Sequence, residues 1–191
     1  MKTATRISPG LASSLLVLVL VVSALLLVYS RAMGNTLLQV LAMLASMVMV
    51  FYLSHPLGHF LTGMALGART DYFFVGKSDF RKLSMKPMSL AGGLMPTIGT
   101  KLNKESLSKL SSRRRGYIFG AGVIVSNTLV GVELVYVLVA GFSIPAILLA
   151  VLFFFATVMT EAMFSTKVGD LGKMRAEFNK QTLKTGTSHS P

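Results

Sequence analysis

Four stretches of this chain, 11–30, 36–67, 116–140 and 144–164, are apolar over lengths for which a soluble domain has little use. A helix rises about 1.5 Å per residue, so about 20 apolar residues cross a hydrocarbon core of about 30 Å. The apolar positions run on without the spacing that would give one wet and one dry face. With 52% hydrophobic and only 14% charged residues, the expected architecture is a mainly α integral membrane protein of four transmembrane helices. A polar break at 31–35 and a turn at 141–143 fold these runs into two hairpins. The loop 68–115 between the second and third spans is long for a structureless connection. Its aromatic and β-branched residues Tyr72-Phe-Phe-Val75 and the segment from Met88 to Gly99 predict a small β-containing insertion at the membrane surface. Lys101 to Ser112 reads as a surface helix, 165–180 as a further polar segment, and 181–191 as a disordered Thr/Ser/Gly-rich tail.

The formal net charge of +12 is a topology signal before it is anything else. Four spans put residues 1–10, the loop and the tail on one side, and that side holds eighteen of the nineteen lysines and arginines, with Arg31 alone opposite. Excess Lys and Arg mark the cytoplasmic side, so both termini are expected there, in a multi-pass protein of the cell membrane. A cluster such as Arg113-Arg-Arg115 just before a span suits lipid headgroups, and nucleic acid is not expected as a partner. Lys2 and Arg6 ahead of the first run resemble a signal peptide, but an h-region is about 7 to 15 residues; the longer run here is read as a retained span. The chain has no cysteine, which excludes disulfides, thiolate nucleophiles and cysteine-held metals.

Chemistry must come from few residues. Of three histidines, His55 and His59 stand four apart in Ser54-His-Pro-Leu-Gly-His-Phe-Leu-Thr-Gly63, on one face of a helix and at metal-ligand spacing. Ionisable groups in a span are costly unless they pair, line a cavity or bind something. Counted from the outer end of each span, both histidines and the Asp170 segment fall near the same membrane edge. Gly169 and Gly172 can break the chain there and turn the carboxylate inward. Two histidines and a carboxylate are a common catalytic zinc ligand set. Four-apart spacing disfavours haem, and two histidines are too few for a membrane di-iron site.

At this point the chain resembles a known family. His55-xxx-His59 with Gly63, Gly67, Arg69 and Phe73-Phe-Val-Gly76 after it is similar to the histidine helix and following strand of the site-2 protease family of intramembrane zinc metalloproteases. Leu90-Ala-Gly-Gly93, the run from Arg114 through Gly116 and Gly120 to Asn127, and Gly169-Asp170-Leu-Gly-Lys173 follow in the family's order. The resemblance implies a zinc ion held by His55, His59 and Asp170, with Pro56 and Asn127 lining the site. It also implies transmembrane segments of client proteins as partners besides the lipid bilayer. The family motif places a glutamate where this chain has Pro56, and proline cannot act as the general base. The expected function is therefore a client-binding relative in which peptide hydrolysis is lost or weakened. An active protease with an unusual base is the alternative. Glu161 has a suitable depth for that base, but on a continuous helix it would lie opposite Asp170, so both can face the site only across a break near Gly169. Glu133 falls near the outer surface; an interhelical hydrogen bond is the simpler role for both glutamates. A reading of another class is a metal-free scaffold or transporter subunit, which has no need for Asp170 to approach the histidines. The pairs Gly63/Gly67 and Gly116/Gly120 are read as close-packing positions within the molecule.

Overall fold

A computed structural model describes residues 5–77, 96–165 and 169–186. Among them the order is β1 (Thr5–Ile7), α1 (Pro9–Ser30), α2 (Thr36–Leu66), β2 (Thr70–Lys77), β3 (Pro96–Leu102), α3 (Lys104–Ser108), α4 (Ser112–Val139), α5 (Ile144–Thr160), a wide π-helical turn (Glu161–Ser165) and α6 (Asp170–Gly186). The four long helices are long and apolar enough to cross a membrane, α5 together with the turn that follows it.

Local chemistry sets the helix ends. Pro9 starts α1, its missing N–H being one of the groups a first turn leaves unpaired. Asn35 caps α2 by accepting from the N–H groups of Leu37 and Leu38 at 2.9 and 3.2 Å. At the other end of α2, Gly67 takes φ +91°, a conformation open to glycine. The Ala68 N–H then reaches back to the Gly63 carbonyl at 2.8 Å and closes a Schellman-type end.

Helices α2 and α4 form the spine. Gly58 lies so close to α4 that a Cβ there would sit 2.8 Å from the Ala121 carbonyl oxygen, a small-residue approach of the kind that packs membrane helices. Further along, Met43, Met47, Val50, Val130, Val137, Ala146 and Ala150 form one buried cluster where α2, α4 and α5 meet. Polar ties cross it. Ser46 Oγ lies 2.7 Å from both the Ser23 carbonyl oxygen and Glu133 Oε1, so Glu133 makes the interhelical contact expected of it. Gln39 Oε1 accepts from the Ser143 N–H and hydroxyl at 3.2 and 2.6 Å.

The sheet is antiparallel in the order β1-β2-β3, with Ile7 opposite Phe73 and Phe74 opposite Gly99. Phe73 is buried, and it joins Ala12, Leu16 and Leu57 in a second cluster that fastens the sheet to α1 and α2. Strand β2 covers the expected Tyr72–Val75 stretch. The expected surface helix from Lys101 to Ser112 is not formed as such: Lys101 and Leu102 complete β3, Asn103 caps the short α3 through the Ser106 N–H, and Ser112 opens α4. The β-branched run Thr97-Ile-Gly-Thr100 suits a pleated surface, and its ladder with β2 extends as far as Leu102. The Gly92-Gly93 segment lies outside the described residues. Helix α6 continues to Gly186, into the tail expected to be disordered from Gln181; residues 187–191 lie outside the description.

The glycine pairs divide. Gly116 and Gly120 let α6 approach α4, with the Phe178 ring and the Met174 sulfur where Cβ atoms would be. Gly63 faces Leu102 of β3, and Gly67 serves as the helix end.

Candidate metal centre

His55 and His59 are one helical turn apart on α2, with ring centroids 5.0 Å apart and planes at 77°. Asp170 opens α6, where the positive end of the helix favours a carboxylate. Its Oδ2 lies 3.1 Å from His55 Nε2 and 3.0 Å from His59 Nε2. One ligand atom from each residue falls within 4.8 Å of the others. Side-chain exposures of 26%, 12% and 20% for His55, His59 and Asp170 leave the group partly open.

The chain reaches this geometry through glycine and through a break. A Cβ at Gly122 on α4 would fall onto His59 Nε2 and stand 2.8 Å from His55 Nε2, so a residue without one leaves room for the two rings. After α5, the helix widens over Glu161–Ser165, and α6 begins at Asp170. The break that both acidic residues need to face α2 is therefore present. Gly169 packs so tightly that a Cβ would be 2.7 Å from Ser165 Cα. Its N–H donates to the Ser165 carbonyl at 3.1 Å, and the Leu171 N–H donates to Ser165 Oγ at 3.1 Å.

The outer nitrogens define the ring orientations. His59 Nδ1 lies 2.8 Å from the Ile118 carbonyl oxygen. A carbonyl only accepts, so Nδ1 carries a proton; toward Asp170, Nε2 then presents a lone pair if the ring is neutral and an N–H donor if it is doubly protonated. His55 Nδ1 has Glu161 Oε1 at 3.9 Å. Lys173 Nζ bonds to Asp170 Oδ1 at 2.9 Å and leaves Oδ2 to the histidines. Burial acts to raise the Asp170 carboxyl, but the hydrogen bonds with His55 and His59 and the positive charge of Lys173 more than reverse this, holding it well below the usual carboxylate range.

An anionic oxygen facing a neutral imidazole lone pair needs a cation between them, either a proton or a metal. The donor set of two imidazoles and one carboxylate fits zinc, with a fourth position left for water or substrate. At His59 the outer contact follows the pattern in which a ligating histidine directs its second nitrogen to a carbonyl.

The other candidates differ in place. Pro56 is buried inside α2, and its carbonyl accepts from Thr100 Oγ1 at 2.9 Å, tying β3 to the histidine helix. Asn127 donates from Nδ2 to the Val123 carbonyl of its own helix at 2.9 Å, and its Oδ1 is buried without a hydrogen-bond partner. The Asn127 hydrogen bond thus runs within α4 and not to the histidines. The Ile118 carbonyl, Ser165 and Lys173 are site components that sequence reasoning missed. Gly122 had a visible signal, as one of three glycines in seven residues at the start of a span. No protein-family profile, curated protein or solved structure matches the chain.

Proposed function

We propose that this chain is a multi-pass membrane protein of site-2 protease type that holds zinc between His55, His59 and Asp170. In this reading it binds transmembrane segments of client proteins, with peptide hydrolysis lost or weakened. The observation that carries it is the convergence of Nε2, Nε2 and Oδ2 from residues 111 and 115 positions apart. A metal-free scaffold does not require that approach. Zinc at such a site would act as a Lewis acid toward a bound water or carbonyl. Pro56, in the position of the family's glutamate, offers no proton acceptor, and this supports a loss of hydrolysis. Membrane residence is supported by the outward faces of the helices, where Leu18, Leu25, Leu148 and Leu152 are 58%, 63%, 64% and 64% exposed. The distribution of Lys and Arg supports cytoplasmic termini.

Elemental mass spectrometry of the detergent-purified protein is the test. Near-stoichiometric zinc is expected in the wild type, with loss in His59→Ala and Asp170→Ala. A wild type without zinc overturns the reading. A second reading, an active protease with another base, is favoured by Glu161 lying beside His55. It expects the wild type to cleave a transmembrane peptide, whereas the first expects cleavage to appear or rise only in Pro56→Glu.

A further inference from the structure

Glu161 is an acidic side chain in a stretch apolar enough to span a membrane, 17% exposed. Carboxylates at such depth are expensive and need a partner. The helix departs from α geometry to place it, opening a π-helical turn at Glu161 itself, a distortion that often marks functional positions. Ser165, at the end of that turn, hydrogen-bonds the Glu161 carboxylate. His55 Nδ1 lies 3.9 Å from Oε1, and Asp170 and His59 stand close enough to act on the Glu161 charge.

That nitrogen decides the role. Both histidines turn Nε2 to Asp170 and Nδ1 away. For His59 the outer nitrogen meets the Ile118 carbonyl at 2.8 Å; for His55 it meets Glu161. We propose that Glu161 is the positioning residue of His55, the outer carboxylate that fixes its tautomer and ring orientation from behind the ligand atom. This rests on the metal-site reading above. Coordination at Nε2 would leave the ring proton on Nδ1, facing the carboxylate. The 3.9 Å separation is too long for a direct hydrogen bond; rotation of the side chain or a bridging water would close it. A base would have to reach the Nε2 side of the ring, whereas the Glu161 oxygen nearest His55 faces Nδ1. The chain thus keeps a carboxylate at the site as a support, with the family's general base absent at Pro56.

The test is metal affinity of the full chain in detergent, with Co²⁺ and Zn²⁺ titrated against a chromophoric chelator. Wild type, Glu161→Ala, Glu161→Gln and His59→Ala are compared, and thermal melts report folding. Loss of an outer partner weakens metal binding by about 10–100-fold. That loss is expected for Glu161→Ala, with a smaller one for the isosteric Glu161→Gln, which keeps an acceptor and sheds the charge. The visible spectrum of bound Co²⁺ is expected to change in both. Unchanged affinity and spectrum in the glutamine variant overturn the positioning role while the metal site stands. A glutamine variant that binds metal normally but loses peptide cleavage overturns it in favour of a catalytic base. A wild type that binds no better than His59→Ala overturns the metal site and this role together.

Discussion

A methyl group at Gly122 has nowhere to go, because both imidazoles occupy the space on that side of α4. Gly122→Ala is expected to cost about 1–3 kcal/mol through overpacking and, by pushing the rings apart, to lower the metal content that the proposed site predicts. Thermal melts and metal content of the variant measure the two effects separately. The same change at Gly34, where nothing lies within 4 Å, is the control and should leave both unaltered. At this scale the sequence was uneven evidence. His55, His59 and Asp170 were legible because side chains that can bind metal are rare in apolar spans and the depth count brought them level. The Ile118 carbonyl was not legible, because every residue carries one and only the crossing of α2 and α4 selects it. The place of Glu161 was half legible. Its depth could be counted, but its direction depended on how the helix widened after Thr160.

Helix α6 is held against α4 by an ion pair as well as by packing. Arg115 Nη2 lies 2.8 Å from Glu177 Oε2, and Lys180 Nζ lies 2.7 Å from Oε1. Burial would raise the Glu177 carboxyl, but the hydrogen bonds from Lys180 and Arg115 outweigh this and lower it. A carboxyl lowered on folding stabilises the folded state above its unfolded pKa. That contribution is lost as pH falls through the folded value. Docking of α6, and Asp170 with it, is therefore expected to weaken on the acid side. Melting temperature measured against pH should show an acid decline that is shallower in Glu177→Gln. At neutral pH, removing the charged partner with Glu177→Ala is expected to cost about 1.5–3 kcal/mol. The hydroxyl of Thr100 ties β3 to α2 at Pro56, and Thr100→Val is expected to cost about 0.5–1.5 kcal/mol, read in the same melts. The long helices were legible from length and hydropathy alone. Strand β1 was not, since three residues show no periodicity and their partner, β2, lies two helices away.

For the whole molecule, the joining of β1, β2 and β3 in one sheet places the chain's first described residues at the end of the helices where the histidines and α6 gather. The absence of cysteine makes the topology directly testable. A single cysteine introduced at Gly34 is expected to react with an impermeant maleimide added outside intact cells, and one at exposed Ser108 only after permeabilisation. The reverse pattern would invert the proposed orientation.

The three side chains of the proposed metal centre would also impose an order of events on biogenesis. A nascent chain displays His55 and His59 early, but the carboxylate that completes the group is made 115 residues after His55, once all four long helices have been synthesised. If the site holds a metal, a two-histidine half-site would exchange it with the surroundings, and tight loading would belong to the finished protein. Metal retention would then report complete insertion, and chains stalled or cleaved before Asp170 would be left in the bilayer as apo fragments.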